Sequence, residues 1–113
     1  MNTLTATPLL ESLASAVRLE IFRLLVRHGH DGLVAGAIAS KLDIPPTNLS
    51  FHLKALTQAS LLTVTAEGRF QRYRANLEVM RELLDFLSAE CCHGQPEQCG
   101  LPACTPPAAR TSV

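Results

Sequence analysis

The apolar positions fall into short periodic runs separated by turn-forming residues. Residues 1–8 are small and polar and end at Pro8, which reads as a loose arm, and Leu9–Ala14 reads as a short first helix. From Ser15 to Arg27, Val17, Ile21, Leu24 and Leu25 recur at helical spacing, with Arg18, Glu20, Arg23 and Arg27 between them. His28-Gly29-His30-Asp31-Gly32 closes that helix with two glycines able to take left-handed dihedrals. Leu33, Ala37, Ile38 and Leu42 repeat the helical pattern, so a further helix is expected over Leu33–Leu42. Asp43-Ile44-Pro45-Pro46 breaks the chain. The residue before a proline avoids helical dihedrals, whereas a proline at the first helical position is favoured, so a new helix is expected over residues 46–59.

The period then changes. Leu61–Thr65 and Phe70–Ala75 alternate and are rich in β-branched and aromatic residues, and Ala66-Glu67-Gly68-Arg69 between them is a turn signal, which predicts a β-hairpin. Met80, Leu83, Leu84 and Leu87 form one stripe of a last helix over Leu77–Glu90. Beyond Cys91 the chain is rich in Pro, Gly, Gln and Ala, a composition expected to be poorly ordered unless something ties it down. The pattern predicts a mainly α (α+β) fold of about five helices and one hairpin over residues 1–90, followed by a cysteine-containing segment at 91–113.

Composition agrees. Hydrophobic residues make up 47% of the chain and aromatic ones 4%, so the core must be built from aliphatic side chains, as packed helices allow. No apolar run reaches the roughly 18 residues that would span a bilayer, so no membrane is expected. No basic segment followed by an apolar stretch opens the chain; the expectation is a cytoplasmic protein whose four cysteines stay reduced and act as ligands or sensors. The formal net charge is zero, which argues against coating nucleic acid by bulk charge but leaves room for a local basic stripe.

The helix at 46–59 invites that reading. At 100° per residue, Leu49, Leu53 and Leu56 share a face that must be buried, while Thr47, Ser50, Phe51, Lys54 and Gln58 fall opposite and Asn48 and His52 flank them. Hydroxyls, an amide and a lysine on the outward face of a short helix fit groove contacts on DNA, although any solvated helix face is polar. Phe51, exposed on that face, would cover a thymine methyl or the base of the hairpin. Arg69 sits at the hairpin turn, and Arg72 and Arg74 share one strand face; with Lys41 and Lys54 they could form a stripe that positions a duplex through its phosphates. Arginines defending an edge strand are the alternative.

Three stretches carry a specific resemblance: Leu13-Ala14-Ser15-Ala16-Val17-Arg18-Leu19-Glu20-Ile21, Asn48-Leu49-Ser50-Phe51-His52-Leu53-Lys54-Ala55-Leu56, and Glu67-Gly68-Arg69-Phe70-Gln71-Arg72-Tyr73. Over residues 9–90 the chain resembles the ArsR/SmtB repressors. The resemblance implies a winged helix-turn-helix whose homodimer, formed by the first and last helices, binds a two-fold symmetric DNA operator and is released when a metal or metalloid binds. Pro45 stands where such proteins often carry a serine cap, so that cap is lost here.

The family's usual metal sites are missing. The helix before the recognition helix, 33–38, holds no cysteine, and Leu77–Glu90 holds no histidine. What remains is Cys91-Cys92-His93, then Cys99 and Cys104. Soft trivalent arsenic selects thiolates and favours three of them in a pyramid, so Cys91, Cys92 and Cys99 are the candidate ligands for As(III), with Sb(III) or a trivalent organoarsenical as related inducers. A helix C-terminus does not favour thiolates, so binding itself must drive loss of their protons. A structural zinc on Cys91, Cys92, His93 and Cys99, a thiol-oxidation switch and incidental cysteines are the competing readings. An enzyme is disfavoured: there is no Cys-x-x-Cys opening a helix, no Gly-rich phosphate loop and no evident acid–base pair. A winged-helix module that binds protein instead of DNA is a further alternative.

Overall fold

A computed structural model of the chain describes residues 1–89. The elements are α1 (Thr3–Leu13), α2 (Ala16–His28), a 3-10 turn (Gly29–Asp31), β1 (Leu33–Val34), α3 (Ala35–Leu42), α4 (Pro46–Gln58), β2 (Leu62–Glu67), β3 (Phe70–Ala75) and α5 (Leu77–Leu87). This is the five-helix, one-hairpin order expected from the pattern and the winged helix-turn-helix implied by the resemblance, with two corrections. Residues 91–113, their cysteines and the order expected of them lie outside the described residues.

The first correction concerns the N-terminus. Residues 3–8 are helical, not a loose arm. Asn2 caps α1 reciprocally with Thr5: the Thr5 amide donates to Asn2 Oδ1 and the Asn2 amide to Thr5 Oγ1. Pro8 sits inside the helix, where its missing N–H deprives the carbonyl of Leu4 of its helical partner, and Leu4 is 85% exposed. Ala6 and Leu9 are buried and hold the helix to the core. The second correction is a third strand. Leu33 and Val34 pair with Tyr73 and Arg72, giving the sheet order β1-β3-β2 and delaying the start of α3 to Ala35. Two residues are too few for a periodic signal; their pairing is decided by the edge β3 offers.

The core is aliphatic, as composition required. Ile21 and Leu25 of α2, Ile38 of α3, Leu49, Leu53 and Leu56 of α4, and Leu61 are its fully buried large side chains. The α3–α4 turn is made by Asp43 in the left-handed region (φ 53°), its amide and that of Ile44 both donating to the Ala39 carbonyl. At the other end of α4, Ser60 takes φ 65° while the Ser60 amide donates to Thr57 and the Leu61 amide to Leu56. That double closure satisfies the last carbonyls, buries Leu61 against Leu56, and turns the chain into the wing. Asn76 locks the far end of the hairpin to the same corner, donating from its amide to Leu61 and from Nδ2 to Ser60, while its Oδ1 caps α5 at Val79. Among the described residues no helix is long and apolar enough to cross a membrane.

Candidate nucleic-acid interface

α4 starts on Pro46, with Pro45 extended (φ −56°, ψ 138°) and contributing no side-chain cap, as the sequence implied. Only the Pro45 carbonyl is used, accepting from the Leu49 amide at 2.9 Å. The helix then depends on burial for its stability. Leu49, Leu53 and Leu56 face inward, and Thr47, Asn48, Ser50, Phe51, Lys54 and Gln58 are all exposed, Phe51 by 67%. His52 is half-buried. The polar face expected of this helix is therefore presented as one continuous outward surface.

The wing stands beside it. Gly68 takes φ 61° at the first position of a two-residue turn, which lets Glu67 pair directly with Phe70 and leaves Arg69 exposed at the tip. Antiparallel partners share a face, so Val64 and Tyr73 lie on one side with Gln71, and Thr63, Thr65, Arg72 and Arg74 on the other. The first set, with Ser50, Lys54, Thr57 and Gln58 of α4 and a floor of Ala35 and Leu53, lines a cleft of about 420 Å³ between the recognition helix and the wing.

The single basic stripe expected of Lys41, Lys54, Arg69, Arg72 and Arg74 is not formed on that side. Arg72 and Arg74 do share a strand face, but it is the face turned away from the cleft, and their guanidiniums are engaged. Arg74 Nε donates to the His30 carbonyl at 2.7 Å and Nη1 to Thr65 Oγ1. Arg72 Nη1 donates to the Asp31 carbonyl at 3.0 Å, and its Nε meets both oxygens of Glu67. The physical reason is the 3-10 turn: its carbonyls are left without helical partners beside β3, and the two arginines satisfy them. Lys54 and Arg69 are exposed and make no ion pair or hydrogen bond among the described residues.

Three participants escape a reading of the sequence. Gln71 and Tyr73 enter the cleft by sheet register alone. Arg18, on α2, reaches across to α4: its Nε donates to His52 Nδ1 at 3.2 Å, and its guanidinium carbon lies 5.8 Å from the centre of the Phe51 ring. A signal for it exists, since Arg18 is in phase with the buried Phe22 and Leu25 at i+4 and i+7, and a charged residue on a core face needs a partner. Among the described residues no group of three or more His, Cys, Asp or Glu is placed to hold a metal ion. Cys91, Cys92 and Cys99 lie outside them.

Comparison with known proteins agrees with this geometry. Residues 13–65, from the end of α1 into β2, match the family model of a helix-turn-helix domain. A search of curated proteins returns no match. Among solved structures the chain is similar to an ArsR-like transcriptional regulator from Rhodococcus sp. RHA1, with 25% identity over 75% of this chain and 77% of that one and a TM-score of 0.66. It is similar to HlyU from Vibrio cholerae, with 29% identity over 76% and 94% and a TM-score of 0.63. It is also similar to the homodimeric winged helix-turn-helix DNA-binding domain of a possible ArsR-family transcriptional regulator from Mycobacterium bovis, with 28% identity over 76% and 80% and a TM-score of 0.61.

Proposed function

We propose that the chain is a transcriptional regulator of the ArsR and HlyU type with a DNA-binding helix-turn-helix, as the matched domain and the similar solved structures support, and that it acts as a homodimeric repressor relieved by a trivalent metalloid. The observation that carries the DNA half of this reading is the division of α4 into three buried leucines and an unbroken exposed face of Thr47, Asn48, Ser50, Phe51, Lys54 and Gln58. Thr47, Asn48, Ser50, Phe51 and Gln58 read base edges in the major groove, with His52 on their flank. Lys54 and Arg69 hold phosphates, and Arg72 and Arg74 act by fixing the wing against the 3-10 turn.

The dimer half rests on α5 and α1. The stripe read in α5 is split: Leu83 is buried in the core and Met80 is packed partly against it, whereas Leu84 and Leu87 are 53% and 55% exposed. Leu77 shares their face at helical spacing, and Leu4 and Leu10 of α1 are exposed as well. Apolar surface of this kind calls for a partner, and the Mycobacterium bovis relative is homodimeric. Two copies would set two recognition helices about one turn of duplex apart on a two-fold symmetric operator.

The inducer half rests on the chemistry of the donor set. All four cysteines of the chain lie between positions 91 and 104, just past α5 in sequence. Three thiols exchange with the three hydroxyls of arsenous acid, forming three S–As bonds and releasing three waters, so Cys91, Cys92 and Cys99 fit As(III) or Sb(III), and two of them fit a methylated arsenical. Capture at the end of α5 would alter how the two subunits pack and thus the spacing of the recognition helices, which a fixed pair of half-sites tolerates poorly. The test uses the reduced full-length protein and a duplex it selects from a randomised library. Arsenite should release that duplex from the wild type and not from Cys91→Ser, Cys92→Ser or Cys99→Ser. Release unchanged in all three variants, or none from the wild type, removes the metalloid assignment.

A further inference from the structure

His52 sits on the recognition helix, and its hydrogen-bonding character is decided by a residue from another helix. Arginine carries only donors, so the 3.2 Å contact from Arg18 Nε requires His52 Nδ1 to be the acceptor. A neutral imidazole has one N–H. With Nδ1 occupied as an acceptor, that hydrogen resides on Nε2, and the second nitrogen of His52 can only donate. The same guanidinium lies 5.8 Å from the centre of the Phe51 ring, within the range of a cation–π contact. The Phe51 and His52 rings meet edge-on at 5.8 Å and 74°. One side chain from α2 thus pins two successive residues of α4, a helix whose own start supplies no side-chain cap.

We propose that Arg18 is a positioning residue for DNA reading: by bonding His52 Nδ1 it fixes His52 as an Nε2–H donor and so restricts what this position of α4 accepts on a duplex. The inference rests on the reading of α4 as the recognition helix. The major groove offers acceptors at guanine N7 and O6, adenine N7 and thymine O4, and donors at cytosine N4 and adenine N6. A locked donor matches the first group and is opposed by the second. A histidine free to exchange its proton between nitrogens could present either character, and the position would lose discrimination. Arg18 itself is half-buried, with its Nε committed inward, a placement suited to holding a neighbour.

The experiment compares wild type, Arg18→Met, His52→Leu and the double variant, Met retaining the length and apolar stem of arginine without its donors. Binding is measured on the duplex selected by the wild type and on a scrambled duplex. Long-range proton–nitrogen NMR correlations report the His52 tautomer in the absence of DNA. Arg18→Met should weaken the selected duplex by about tenfold and the scrambled one by less than about twofold, the scale of one modest net hydrogen bond lost from each subunit of the dimer. It should add nothing further to His52→Leu. The wild-type spectrum should show a protonated Nε2 with an unprotonated Nδ1, and Arg18→Met should shift both signals toward exchange between tautomers. Equal losses on the two duplexes would make Arg18 a phosphate contact, and a full loss added to His52→Leu would make its effect independent of His52; either overturns the proposal, as does an unchanged spectrum in Arg18→Met. If the wild type selects no duplex at all, it is the recognition-helix reading that fails, and the spectrum alone then decides whether Arg18 governs His52.

Discussion

Gly32 lies directly against the backbone of Tyr73. A Cβ placed on Gly32 would overlap the Tyr73 carbonyl oxygen and fall 2.7 Å from Cγ of Arg74, and Gly32 has φ 60°. Space and dihedral both demand glycine here, because β1 begins at the next residue and must approach β3 closely enough to pair. Gly32→Ala should cost about 2–4 kcal/mol, combining left-handed strain with displacement of the wing. Chemical denaturation checks this, with a lowered midpoint and an unchanged slope expected. Gly29, which also has positive φ but open space around its Cβ position, should suffer only the dihedral part when replaced by Ala.

Salt dependence separates the two classes of basic residue. Replacing Lys54 or Arg69 by Ala should lower the slope of log affinity against log salt by about 1.8 each, one phosphate contact in each subunit of the dimer. Arg74→Met should weaken duplex binding with little change of slope, since its Nε and Nη1 are spent on His30 and Thr65. It should also speed amide exchange of the hairpin, which fluorescence anisotropy titrations cannot see and hydrogen-exchange mass spectrometry can.

Leu53 and Phe51 are two positions apart on α4 and should behave oppositely. Leu53→Ala empties a fully buried core position and should destabilise the fold by about 2–5 kcal/mol. Phe51→Ala removes a ring that is 67% exposed and should change stability by less than about 1 kcal/mol while lowering affinity for the selected duplex. Thermal melting and duplex titration on the same samples distinguish them.

Leu84→Glu tests the dimer face. The side chain is more than half exposed within one chain, so a charge there removes no core contact of the subunit. Sedimentation should show a folded monomer, and operator affinity should fall by about a hundredfold or more as the second recognition helix is lost. A dimer surviving this change would place the interface elsewhere.

Proton release distinguishes the inducers. Neutral arsenous acid exchanging three hydroxyls for three thiols discharges water and no net proton, whereas a divalent soft metal displaces protons from every thiol it captures. In weakly buffered solution near neutral pH, a pH indicator should stay constant during arsenite titration and should acidify during cadmium titration. Acidification with arsenite would be incompatible with the three-thiol exchange.

Much of the fold was legible because its helices announce themselves by one buried stripe each. Leu49, Leu53 and Leu56 could be assigned inward from spacing alone, Ser15 and Pro46 marked helix starts, and Gly68 marked the hairpin turn. The helical arm over residues 3–8 was missed because Pro8 is a breaker in local terms, and only its placement at an exposed turn of α1 makes it tolerable. β1 was missed because two residues carry no period. The outward face of α4 was found; the separation of Lys54 and Arg69 from Arg72 and Arg74 was not, because it depends on which carbonyls lie opposite β3.

The amino-acid order by itself determined where each helix and strand could form, which side of α4 would be buried, and that every cysteine would cluster beyond α5, since these follow from local dihedral preference and from periodicity along one element. Only the tertiary structure decided that Arg18 meets His52 across 34 positions of chain, that Tyr73 and Gln71 face the recognition helix, and that two arginines brace a turn. Such contacts join elements distant in sequence, and their partners are selected by the packing of the whole core, which no local pattern encodes.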